Sequence, residues 1–525
     1  MGAMKSLIES TALGAGWAGA YPKGGYGPGE AYPEFEGRGV ARGEEGNAAF
    51  AAVRAALAGL GLDRERYGTH DWNPFGALVK AGGRVLVKPN WVLHRNEGGH
   101  GMECMVTHPA VLAAVLEYVA LAEPGAVVVG DAPLQGCDWG RLMEWAGLGE
   151  VLEAAGRRMP LAVKDFRRTV TEARGDGRKA VREGVRGLEE YVETDMGEDS
   201  FLEEISGDWR RFRVTMYDPR PMERHHRPGV HRFLLARDVF EADLVVNCPK
   251  LKTHKKAGLT CCLKNLIGIN GNKEYLPHHR TGAAEGGRGD SRPEASRLAD
   301  WLEAGLDFIN RHRDWERAYR WAEKWIYRVE GHRPGRVPGA ELEGNWHGND
   351  TIWRTCLDLN RALLYGDAQG RLHAEPQREE VSVVDAVVAG QGEGPLRPEP
   401  LLVGAVFAAR NPVAGDWLAA RLLGFDARKI PMVARGAGGG GGGRGGEAEV
   451  GAVDGGADFG FGGGEPVGFG AEEELHFLVG GGVGGGGGGD GEASVDAEGD
   501  GEAAAGEFDG DGREEGRVEG GVGDC

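Results

Sequence analysis

The sequence predicts an α/β protein, with mostly parallel sheets flanked by helices and a disordered, glycine-rich C-terminal tail. Three observations predict it. Short apolar runs stop abruptly at polar, proline-containing clusters: VLVKPN, VVVGDAP and LVVNCPK. Helical apolar spacing fills the stretches between the first of these runs. Fully apolar strands of this length suit a parallel sheet covered on both faces.

The elements follow in order. Residues 1–48 are rich in Gly, Pro and aromatics and read as irregular. AFAAVRAALAGLG (49–61) has helical spacing and ends at glycine. Val85–Val87 is a buried strand stopped by Pro89. THPAVLAAVLEYVALAEPG is a helix, with Thr107 as its cap and Pro109 in its first turn. AVVVGDAP is a second strand and DWGRLMEWAGL a further helix. Residues 165–235 are polar and mixed and read as an insertion in the 49–435 α/β body, which reads as one body or as two lobes. Leu244–Asn247 is the next strand, and helical stretches run from about Arg297 to Val329. VSVVDAVVAGQGEGP, LLVGAVFAAR and NPVAGDWLAARLLG read as strand, strand and helix.

The formal charge of −20 is unevenly placed. Residues 436–525 hold 21 acids and 3 arginines, a net of −18, which leaves −2 on the body. With 37 glycines in that stretch, too little apolar surface exists to offset chain entropy. The tail reads as the product of a shifted reading frame or as a flexible acidic tail, the former favoured. A near-neutral body without a basic domain argues against a nucleic-acid partner. No apolar run approaches the roughly 18 residues of a membrane span. The N-terminus lacks the long apolar core of a signal peptide, and the cysteines do not have disulfide-framework spacing. These features point to the cytoplasm.

Chemistry concentrates where strands end. Lys88 and Asn90, Asp131, and Lys250 follow three apolar runs, and ligands of open parallel sheets sit beyond the carboxyl ends of strands. Leu244 to Lys273 contains six lysines and no acid. A helix from about Lys255 to Ile267 would put Lys256, Thr260 and Lys264 on one face, with Lys250, Lys252, Thr253 and His254 feeding its N-terminus. That concentration of donors suits a phosphate or carboxylate. Asn265, Asn270, Asn272 and Lys273 add polar donors in and after the same helix. His278 and His279 follow, but adjacent histidines seldom meet one metal ion. Asp385 precedes a GxGxGP turn that lacks the spacing and following helix of a dinucleotide fingerprint. GNWHGNDTIWR packs Asn349 and Arg354 into a polar loop, read as a binding loop or as an ordinary helix start.

VLVKPNWV, THPAVLAAVLEYV, AVVVGDAP, ADLVVNCPKLKTHKKAGLTCCLKNLIGING and VVDAVVAGQGEGP together resemble the family called domain of unknown function 362, from about Arg84 to Ile430. The resemblance implies no agreed activity. Some members carry a ferredoxin-like cysteine cluster, and this chain has no CxxC, so an iron–sulfur cluster is not carried over from them.

The residues favour an enzyme acting on a small anionic molecule. Lys88, Asn90, Lys250, Lys252, Thr253, Lys256, Lys264, Asn265, Asn270, Asn272, Lys273, Asn349 and Arg354 are the binding candidates. Asp131 and Asp385 would serve as base or hold a divalent cation, and His108 and His254 would move protons. One alternative is a metal or iron–sulfur protein using Cys248, Cys261 and Cys262. Another is a non-enzymatic scaffold.

Overall fold

The computed structural model describes residues 13–43, 46–173, 179–182, 186–214, 217–311 and 343–437. The acidic tail from 438, and the part of the helical reading after Arg311, lie outside the described residues.

A nine-stranded mixed sheet organises the chain. Its strands are β1 (Leu13–Trp17), β2 (Arg84–Pro89), β3 (Ala126–Asp131), β4 (Leu161–Asp165), β5 (Leu244–Cys248), β6 (Lys250–His254), β7 (Gly258–Thr260), β8 (Glu379–Glu393) and β9 (Arg397–Ala409). The order is β1-β9-β8-β5-β2-β3-β4. Pairings from β8 through β5, β2 and β3 to β4 are parallel, while β9 pairs antiparallel with β8 and with β1. The short β6 continues beside the second half of β8 and forms a hairpin with β7.

Alternation along each strand feeds opposite cores. Val85 and Val87 face α1 (Ala48–Gly59) and α2 (Pro109–Leu121), in a core with Phe50 and Tyr118. Leu86, between them, faces Phe233, Leu235 and Leu359. Every residue of β5 is buried, as a central parallel strand requires. A third apolar cluster gathers Leu251, Leu259, Cys261, Trp353, Phe407 and Leu418 around the β6–β7 hairpin. It involves α4 (Ile352–Tyr365) and α5 (Pro412–Leu422); the short α3 (Cys262–Asn265) follows β7. Between β4 and β5, Tyr191–Asp195, Val230–Ala236 and His226–Arg227 make a small antiparallel sheet.

Three expectations are corrected here. The N-terminal segment is not wholly irregular: Leu13–Trp17 closes the sheet edge by pairing with Ala405–Ala409. The α2 cap is His108, whose Nδ1 accepts the Ala110 N–H at 3.1 Å. Thr107 instead donates to the Cys248 carbonyl at 2.6 Å and accepts from Asn90 N–H, tying α2 to β5. Finally, the stretch from Lys255 to Ile267 is not one helix. Gly258, at φ +82°, reverses the chain into β7, and only Cys262–Asn265 is α-helical before a 3-10 turn at Leu266–Ile269. Apolar spacing at Leu259, Leu263 and Leu266 suited a helical face, but a glycine in the left-handed region and hairpin pairing with β6 override it.

Candidate functional site

β2, β3 and β4 step outward in one direction, and β5 and β8 lie on the other side of β2. The sheet order therefore reverses between β2 and β5. Ligand crevices of open α/β sheets form at such a switch point, beyond the carboxyl ends of the strands.

Two buried ion pairs lie at this switch point. Lys88 Nζ lies 2.8 Å from Asp131 Oδ1, and Lys250 Nζ lies 2.8 Å from Asp385 Oδ2. Burial pushes the Lys88 amine down and the Asp131 carboxyl up, while each partner opposes the other's shift. Asp131 also accepts the Trp91 N–H at 2.6 Å. Asp385 accepts the His108 N–H at 2.9 Å and the Tyr21 hydroxyl. The same hydroxyl accepts from Lys250 Nζ at 2.6 Å, and the Tyr21 ring stacks on the His108 imidazole at 3.8 Å. Both acids are thus engaged by buried donors, an arrangement that serves a structural role. Desolvation lowers the His108 imidazole to about 3, and its Nδ1 caps α2.

Asparagines bridge the strands beside these pairs. Asn90 donates to Asn265 Oδ1 at 2.8 Å, and Asn265 donates to Asn247 Oδ1 at 2.7 Å. Gly268 closes over the Lys88–Asp131 pair, where a Cβ would lie 1.8 Å from Asp131 Oδ1 and 2.7 Å from Lys88 Nζ. Only glycine fits there without breaking the pair.

The remaining cations differ from these pairs in one respect. Lys252 is fully buried and, among the described residues, donates only to the Asn90 side chain, at 2.8 Å, and to the Met105 carbonyl. Lys273 donates to the Ile267 carbonyl at 3.3 Å. Lys264 makes no hydrogen bond among the described residues, and none of the three has a carboxylate within ion-pair distance there. Burial lowers all three amines; Lys250 and Lys264 lower Lys252 further, and Lys273 falls to about 7. Lys256 is half-buried beside them, its amine lowered by desolvation, raised by Glu343 and lowered by Lys264.

Two imidazoles share the cluster. His254 Nδ1 accepts the N–H groups of Lys256 and Ala257 at 3.2 and 3.3 Å, so its proton resides on Nε2. His278 has the opposite tautomer: Nδ1 faces the Leu276 carbonyl at 2.6 Å and must donate, which leaves Nε2 a free acceptor. Burial and the neighbouring lysines keep both neutral. The crevice therefore offers a neutral N–H donor and a neutral base among lysines. Asn272 adds an oxygen, Oδ1, that is buried without a partner among the described residues.

Four sequence candidates fall elsewhere in role. Thr253 donates to the Gly392 carbonyl at 3.0 Å. Asn270 accepts the Leu234 N–H and donates to the Asn272 carbonyl, fixing the turn. Asn349 accepts the N–H groups of Thr351 and Ile352, the helix-start reading of that loop, and donates to the His278 carbonyl. Arg354 is spent on Glu204 at 2.6 Å and on Asp350. Cys248 packs in the first core, apart from Cys261 and Cys262 in the third. Tyr21 carried no sequence signal, being 364 residues from its partner Asp385.

The family described as Domain of unknown function (DUF362) matches residues 85–196 and 160–421. The chain belongs to this family. The DUF362 match contains every crevice residue from Lys88 to Asp385, while β1 and Tyr21 lie before it. The thylakoid-associated protein sll1697 of Synechocystis sp. is 24% identical over 359 residues, 68% of each chain. A crystal structure of a Thermotoga maritima protein from a structural genomics consortium aligns at 12% identity with a TM-score of 0.32; the alignment covers 71% of this chain and spans 58% of that one. No helix among the described residues is long and apolar enough to cross a membrane.

Proposed function

We propose that this DUF362 protein is an enzyme that binds a small phosphorylated or carboxylated anion in the crevice between β2 and β5. The observation that carries the reading is the set of three buried lysines, Lys252, Lys264 and Lys273, without a carboxylate partner among the described residues. A buried charge without a counter-ion costs several kcal/mol, so it is lost or paired. An incoming anion supplies the missing charge, and a dry, preorganised cluster stabilises negative charge far more than water-exposed lysines do. The half-buried Lys256 guides the anion inward. His254 Nε2–H donates to the bound molecule, and His278 Nε2 accepts a proton from it. The pairs Lys88–Asp131 and Lys250–Asp385 hold the geometry and add no net charge. The six cysteines outside the tail are free and buried, which suits a reducing cytoplasm.

Native mass spectrometry of the full chain tests this directly. A small anion should co-purify with the wild type and be absent from the Lys252→Ala, Lys264→Ala variant. A ligand-free wild type that also gains no thermal stability from phosphate, sulfate or malonate would overturn the reading.

A further inference from the structure

Cys261 and Cys262 belong to no part of the anion crevice. They stand where β7 turns into α3, and both are completely buried. Successive side chains of an extended chain normally point apart. Here Cys261 has φ −155° and ψ −139°, and the two Sγ atoms lie 3.7 Å from each other. α5 brings Asp416 against them. Its carboxylate is completely buried; among the described residues Oδ1 accepts a long 3.4 Å bond from Leu263 N–H, Oδ2 has no partner at hydrogen-bond distance, and the Cys261 and Cys262 thiols are weak donors toward the carboxylate. Both sulfurs and a carboxylate oxygen lie within 4.8 Å of one another. The approach is close by construction: a Cβ at Gly415 would lie 2.6 Å from Cys262 Sγ. Glu380 on β8 is a second buried carboxylate near Cys262, engaged by the Ser382 and Asn247 side chains.

The plain alternative is two apolar thiols beside a protonated acid. Burial does push the Asp416 carboxyl up to about 7. In that alternative the two thiols are weak donors to the carboxylate, but it does not require the sulfurs to approach each other to 3.7 Å.

We propose that Cys261, Cys262 and Asp416 bind one zinc-type divalent cation. Zn–S bonds of about 2.3 Å in a tetrahedron give a sulfur–sulfur edge of roughly 3.8 Å, close to the spacing observed. Two thiolates and a carboxylate make a mixed sulfur–oxygen set for a borderline ion, whereas an iron–sulfur cluster takes four thiolates. On binding, the cation displaces the two thiol protons and any proton on Asp416, and these pass to solvent. The three protein ligands leave one tetrahedral position open, and because all three are completely buried the ion enters as the chain folds. Its task is to pin α5 to the turn that carries Lys264 and Asn265, and it does not depend on the anion reading.

The test uses the full chain expressed in zinc-supplemented medium and analysed for metal after gel filtration. One zinc per chain is expected in the wild type and in the buried-cysteine controls Cys248→Ala and Cys356→Ala. It should be lost from Cys261→Ala, Cys262→Ala and Asp416→Asn. Wild-type chain refolded with Co²⁺ should show a thiolate-to-cobalt charge-transfer band, a readout that needs no variant to fold. Zinc retained without both cysteines, or a wild type free of metal by both routes, would overturn the proposal.

Discussion

Anion binding should draw protons into the protein, and Lys273 sets the scale. Its amine faces Asp131 on β3, Lys88 on β2, Lys264 on α3 and Arg167; burial dominates and lowers it to about 7. A fall from 10.5 to about 7 means that holding the charge there costs roughly 5 kcal/mol. At pH 8 the free amine is then only about 10% protonated. A bound dianion that restores an ordinary lysine value makes protonation complete, an uptake of about 0.9 proton from this residue alone. Lys252 and Lys264 are shifted the same way, so the total should equal or exceed that. Sulfate is the suitable probe because it does not itself titrate near pH 8. Isothermal titration in buffers of different ionisation enthalpy gives the proton count as a slope. Affinity should also weaken about tenfold per pH unit between about 7 and about 10.5 for each proton taken up. Lys273→Met should reduce the uptake by close to one proton. Zero uptake, or release, would refute the reasoning.

Further outcomes follow from the same geometry. Gly268→Ala should break the Lys88–Asp131 pair, because its Cβ would fall 1.8 Å from Asp131 Oδ1; denaturant unfolding should show a loss of about 3–5 kcal/mol. Asp385→Asn should cost a similar amount, since Lys250 is then buried uncompensated. Tyr21→Phe removes a hydroxyl that joins Asp385 and Lys250, and should cost about 1–3 kcal/mol in the same assay. The pH dependence has a definite sign. Between pH 7 and about 10.5 the unfolded chain binds more protons at Lys273 than the folded one, so the contribution of this group to the stability of the free protein rises across that window. Urea midpoints measured there should climb with pH, more so than in Lys273→Met, and saturating sulfate should flatten the difference.

Much of the crevice was legible because parallel strands place their exits side by side. The clusters at Lys88, Asp131 and Lys250 each end an apolar run, and the sheet then brings them together without further information. What the sequence concealed was the pairing of charges. Asp131 and Asp385 are far along the chain from Lys88 and Lys250, so counting lysines could not separate the two that are neutralised from the three that are not. The β6–β7 hairpin was hidden for a different reason. Leu259, Leu263 and Leu266 are buried in either conformation, and the deciding features are the positive φ of Gly258 and pairing with a neighbouring strand. Asp416, more than 150 residues from Cys262, is brought to the thiols by packing of α5 alone. The edge strand β1 depends on a partner near the other end of the body.

The central claim is that uncompensated lysines await an anion, and Lys264 isolates it best because no described side chain engages its amine. The decisive measurement is thermal unfolding of the wild type and Lys264→Met, each with and without sulfate. Without the anion Lys264→Met should melt higher, since it buries a methyl thioether in place of an unpaired amine. With sulfate the wild type should gain much more stability than Lys264→Met, any general salting effect being common to both. A Lys264→Met protein that melts lower without sulfate and gains as much as the wild type with it would contradict the account.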